Sequence, residues 1–157
     1  HHTTILNVSE GGLLFHHLPY LPSVNLISVY FSLSKIPALE NLNSHELIDL
    51  ASSGGNKTIY FARVKTLRRS DCDDLLTKQI GGEFHSLDEH LKSTLKNYVA
   101  TFVLNQSYLL RLLESENLNV SDQKAVRIVC EILGYPTQMR LSQLHLLVKH
   151  DYQSLVW

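Results

Sequence analysis

The densest set of metal-capable side chains in this chain is His85-Ser86-Leu87-Asp88-Glu89-His90. On a helix, His85 and Glu89 stand four apart and share a face, while His90 points elsewhere. Zinc needs three or four converging ligands, and no second cluster with ligand spacing accompanies this one. The segment therefore reads as a solvated first turn with capping acids. His45-Glu46-Leu47-Ile48-Asp49 sets His45 and Asp49 on one helical face, but the second His of a metalloprotease helix is absent. Cys72 lies near an expected helix start, which lowers a thiol pKa, yet Asp71, Asp73 and Asp74 surround it and raise the pKa again. Cys130 falls on the buried side of its helix by spacing with Val126 and Leu133. There is no Gly-x-Ser-x-Gly elbow, and Gly54-Gly55-Asn56-Lys57-Thr58 lacks the spaced first glycine of a phosphate loop. No catalytic residue, metal site or cofactor is expected.

Two features bear on nucleic acid. Arg63, Lys65, Arg68 and Arg69 form the one basic cluster, and on a strand Arg63 and Lys65 share a face with Tyr60 opposite. Asp122–Leu133, a short break and Gln138–Lys149 have the outline of a helix-turn-helix, with Gln138, Arg140 and Gln143 on the second helix. That helix carries only Arg140 and Lys149 as cations, which is thin for backbone contacts. A nucleic-acid-binding subunit using Arg63, Lys65, Arg68, Arg69 and Arg140 is the alternative reading.

The leading reading starts from residues 11–34, twenty-four positions without an Asp, Glu, Lys or Arg. Thirteen of them are apolar, so water must be kept from this stretch. Pro19, Pro22, Asn25 and the pair His16-His17 interrupt it too soon for a membrane span, so no membrane insertion is expected. What remains is the chain's own core or a partner's surface. Tyr20, Leu21, Tyr30 and Phe31 are the expected contact residues of a non-catalytic interaction module, a structural or adaptor subunit. Its partner is another protein subunit or a second copy.

Charge sharpens that reading. Residues 1–56 carry a net charge of −3 and residues 57–157 a net of +2, so neither half has the strong positive field of a non-specific nucleic-acid binder. Two cysteines are too few for a disulfide framework, which points to a reducing, intracellular compartment. Asn-x-Ser/Thr sequons at Asn7, Asn56, Asn105 and Asn119 pull the other way, although Asn105 falls inside an expected helix. The chain opens on His1-His2, as a tag remnant or an internal cut would leave it.

The elements that must position these residues follow from periodicity. Thr4–Val8 and Leu13–His17 flank a glycine-bearing hairpin connection. Ile27–Ser34 alternates, with Ile27, Val29, Phe31 and Leu33 on one face, and Lys57–Leu67 returns to strand character. Helices are expected over Ser44–Ala51, Asp71–Ile80, Leu87–Glu116, Asp122–Leu133 and Gln138–Lys149, with caps at Asn43 or Ser44, Ser70, Ser86 and Ser121. The result is an α+β fold, a small N-terminal antiparallel sheet followed by a helical C-terminal half of about four helices. It is expected as one domain over 1–157, which could divide into a strand-rich region over residues 1–69 and a helical region over residues 70–157.

Overall fold

Alternating side chains build the first half of the molecule, as the residues dictate. The computed structural model describes residues 4–18, 23–72, 77–115 and 119–156. The strands are β1 (Thr4–Val8), β2 (Gly12–Leu18), β3 (Leu26–Lys35), β4 (Asn56–Cys72) and β5 (Thr77–His85). The helices are α1 (Ser44–Ser53), α2 (Glu89–Leu113), α3 (Val120–Leu133) and α4 (Leu141–Val156). The class is α+β, and the strands form one sheet in the order β1-β2-β5-β4-β3. Contacts divide the chain into two units: His1–Leu33 with Ile59–Val99, and Ser34–Thr58 with Ala100–Trp157.

The first unit is the sheet with the opening turns of α2. In β3 the residues Ile27, Val29, Phe31 and Leu33 face inward, as their alternation requires. Leu13 and Phe15 of β2, Ala62 and Val64 of β4 and Ile80 of β5 complete the inner face, and Leu91 and Leu95 of α2 pack against it. Each large side chain buried this way contributes about 1.5–3 kcal/mol.

One expected element is replaced here. The described residues of the helix expected over 71–80 are strand instead: β4 runs to Cys72 and β5 begins at Thr77, while 73–76 lie outside the described residues. Gly81-Gly82, which resembles a helix stop, lies instead within β5 where three strands approach closely. A Cβ at Gly82 would stand 2.3 Å from Val64 Cγ1 of β4, and one at Gly12 would stand 2.1 Å from the Gly82 carbonyl oxygen. Tertiary packing has overridden a local capping pattern.

The second unit is helical. Asn43 caps α1 in a capping box with Glu46, and Gly54 ends that helix in the left-handed conformation, as the sequence indicates. The cap of α3 is Asn119, boxed with Asp122, rather than Ser121. In the first unit, where α2 starts, Asp88 rather than Ser86 is likewise the cap, accepting the Leu91 N–H at 2.7 Å. Ser86 takes a positive φ of 59° and turns the chain from β5 into α2. Val126, Val129, Cys130 and Leu133 of α3 meet Leu109 and Leu110 of α2, Leu47 of α1, and Leu144 and Val148 of α4.

Two buried amides on α2 hold this core to its connecting segments. Asn105 accepts the Leu39 N–H at 2.9 Å and donates to the Pro37 carbonyl at 2.9 Å. Gln106 Nε2 donates to the Tyr135 hydroxyl at 2.7 Å, while its Oε1 has no partner among the described residues. Asn105 sits in the apolar stripe of α2 because its polar atoms satisfy backbone groups that would otherwise be buried unpaired.

Candidate interaction face on the sheet

The two faces of β3 and β4 differ in what they present. Inward residues pack on α2, whereas the outward residues of β4 are Lys57, Ile59, Phe61, Arg63 and Lys65. The outward residues of β3 are Leu26, Ser28, Tyr30 and Ser32. The Tyr30 ring lies beside Phe61, with centroids 5.0 Å apart and planes at 49°. The Thr66 N–H donates to the Asn25 carbonyl at 2.8 Å, and the Phe31 ring lies beside Tyr60. Together these contacts fix β3 and β4 as antiparallel, with Ser28 level with Arg63 and Leu26 level with Lys65.

Cross-strand pairing extends these rows. Arg63 lies opposite His85 and Lys65 opposite Glu83 on β5. Neither cation has an ion-pair partner among the described residues. The face therefore carries an apolar patch (Tyr30, Ile59, Phe61), then a band with Arg63, Lys65, His85 and Glu83. A bulge between Thr66 and Arg68 follows, leaving Leu67 exposed. Beside Leu67 is an open hollow of about 490 Å³ lined by Leu14, Gly81 and Glu83 among others.

The sequence-based site residues divide accordingly. Tyr30 is 75% exposed, but Phe31 is 4% exposed and contacts Tyr60 and Phe84 on the inner side. One residue of register separates an exposed side chain from a core side chain. Tyr20 and Leu21 lie outside the described residues. Arg63 and Lys65 share the outward face with Tyr60 opposite. The backbones of Arg68 and Arg69 continue β4, paired with Gly81 and Ile80. Arg140 belongs to the second unit and, like Gln138, precedes α4, which starts at Leu141. The link into α4 is held by Arg127, which donates to the Met139 carbonyl at 2.6 Å. Ile59, Phe61 and Leu67, exposed on β4, are not among the residues the sequence reading singles out. Their odd numbering, shared with Arg63 and Lys65, was the available signal for the first two.

The remaining candidates resolve into ordinary roles. Among the described residues no three His, Cys, Asp or Glu converge as a metal site would require. His85 ends β5 and is not on a helix with Glu89, while His45 pairs with Asp49 at 3.1 Å on an exposed face of α1. Cys130 is buried, and burial pushes its thiol up to about 11 against a smaller opposing pull from Arg127. That keeps it protonated and unreactive near neutrality. Tyr135 is pushed up to about 12, first by burial, with the Gln106 hydrogen bond opposing and Asp151 adding. An open hollow of about 440 Å³ in the second unit is bordered by Glu40, Arg111 and Asp122. Arg111 is already paired there with Glu40, and the Asp122 carboxylate is engaged in its capping box. Among the described residues, no helix is long and apolar enough to cross a membrane. Comparison with family models, curated proteins and solved structures returns no match.

Proposed function

We infer that this chain is a non-catalytic protein-interaction module, a structural or adaptor subunit of an intracellular assembly, and that it engages its partner through the outward face of β3 and β4. One observation carries the reading. Val24, Leu26, Tyr30, Ile59, Phe61 and Leu67 are six of the ten large apolar side chains exposed among the described residues, and all six belong to these two strands or the bend before β3. Clustering of that kind marks a contact surface, whereas scattered single residues do not. The charge-poor N-terminal segment feeds one of the two strands, as an interface centre depleted of charge requires.

The test is affinity capture with the native chain and Tyr30→Asp, using Leu146→Asp on α4 as a surface control. Tyr30→Asp is expected to shift stability by less than about 0.5 kcal/mol, because the side chain is exposed. It should weaken a specific partner by about 2 kcal/mol or more, as loss of an aromatic anchor does. Retention of the same partner at the same strength would exclude the face, and unfolding of the variant would return Tyr30 to the core.

A second reading is favoured by the Tyr30–Phe61 ring pair beside two cations without ion-pair partners among the described residues. Single-stranded nucleic acid is bound by stacking on such rings with backbone contacts to Lys and Arg. It predicts oligonucleotide affinity that falls steeply with salt and weakens in Arg63→Ala and Lys65→Ala. Affinity indifferent to salt counts against it.

A further inference from the structure

The edge of β3 away from β4, unpaired among the described residues, adds a consequence to the interaction reading, on which it rests. β3 closes one side of the sheet, and no described strand pairs with its other edge. The bond from Thr66 N–H to the Asn25 carbonyl sets the parity of this strand. In an antiparallel ladder the odd residues of β3 exchange bonds with β4, so Leu26, Ser28, Tyr30 and Ser32 direct their N–H and C=O groups to the open edge. Residues 26–34 contain no charge and no proline, two of the usual devices that blunt an edge strand, and the one charge of β3 is Lys35 at its end. The same four residues carry the outward side chains, so edge and face form one surface.

Charge decides what completes it. Arg63 stands one strand in from the edge, behind the small side chain of Ser28, and Lys65 stands behind Leu26. A strand added beside β3 would lie roughly 10 Å from β4, a span that a glutamate and an arginine side chain cover together across a serine. Among the described residues, the outer strands a second copy could offer are β1 and β3, and neither holds an acid to meet Arg63 or Lys65. We propose that β3 accepts an extended acidic segment of a different protein as a sixth strand, with a carboxylate opposite Ser28 reaching Arg63 and an apolar side chain two residues away packing on Tyr30. Main-chain bonds along the edge supply affinity, and the acid–x–apolar spacing supplies selectivity.

The probe is a capped peptide, Glu-Val-Leu-Val-Glu-Val-Leu-Val-Glu, whose symmetric outward pattern suits either strand direction. Its affinity for the full chain is compared with that of a Lys-for-Glu version by fluorescence anisotropy. The acidic peptide is expected to bind at least tenfold tighter, and Arg63→Glu should reverse that order. Ser28→Pro removes an edge donor while sparing the bonds to β4, and should lower affinity at least tenfold with an unchanged melting temperature. Equal binding of both peptides, or no binding of either, would overturn the proposal. So would full affinity in Ser28→Pro. If Ser28→Pro unfolds, the charge reversal in Arg63→Glu decides. A captured partner lost in Tyr30→Asp but kept in Ser28→Pro would reject strand addition while leaving the face as the interface. Salt-sensitive binding of nine-nucleotide oligouridylate in place of the peptide would reject it in favour of nucleic acid.

Discussion

The sheet unit and the helical unit bury their interiors by the same means and treat their exteriors differently. In the helical unit the large apolar residues exposed among those described are Ile48 on α1, Leu104 on α2, Val120 on α3 and Leu146 on α4, one to a helix. In the sheet unit those described gather on two adjacent strands and the bend before one of them. Folded surfaces always keep some apolar area, so single residues carry no message. Six gathered together do, because each alone could readily be polar on a strand that already carries serines between them. The polar interior differs as well. Asn105 and Gln106, the buried polar residues among those described, both lie in the helical unit. Among the described residues, one unit concentrates polar groups in its interior and the other concentrates apolar groups on its exterior.

The contrast can be broken at several points. Asn105→Leu strands the Leu39 N–H and the Pro37 carbonyl, and should cost about 4 kcal/mol in urea unfolding, given roughly 1–3 kcal/mol for each buried unpaired group. A loss under about 1 kcal/mol would mean that water replaces the amide. Gly12→Ala forces a methyl against the Gly82 carbonyl oxygen and should cost about 3 kcal/mol, through backbone displacement in the sheet unit.

Alkaline pH sharpens the comparison further. Cys130 and Tyr135 have folded pKa values raised above their ordinary 9.0 and 10.0, so the folded state holds these protons more tightly than the unfolded state. Their stabilisation is complete below the unfolded values and is lost as pH rises through about 9 to 11 for the thiol and 10 to 12 for the phenol. Melting temperature should fall over that window, and Cys130→Val should flatten its lower end; an unchanged slope would place the titration elsewhere. Tyr98 in the sheet unit is raised by burial in the same direction. The smallest effect is at Ser86, where Ser86→Gly relieves a left-handed backbone and should stabilise by roughly 0.5 kcal/mol in the same unfolding assay.

Local signals carried most of the architecture. The alternation Ile27, Val29, Phe31, Leu33 reports its own inner face, and Asn43 with Glu46 reports its own cap, because partner and signal lie within a few residues. β5 was illegible for the opposite reason. Gly82 is set against Val64, eighteen positions away, and Gly12 is set against Gly82, so the pair Gly81-Gly82 resembles a helix stop until the neighbouring strands are known. Asn105 was legible as an oddity in an apolar stripe, but its partners Pro37 and Leu39 lie 68 and 66 residues away. On β3, alternation sets Tyr30 and Phe31 on opposite faces, yet the sequence reading names both as contacts; which of the two faces the core is a distinction that only the fold supplies.

Strand order also sets a clock. Gly12 pairs with Glu83, so β2 cannot gain its second neighbour until 71 further residues have been made. At about 5–20 residues per second that wait is on the order of 4–14 s. Throughout it the β1–β2 hairpin carries Leu13 and Phe15 without the strand that shelters them. A nascent chain in that condition is a natural client for a holding chaperone, and slowing translation within residues 56–85 should lower the soluble yield more than slowing it after residue 113.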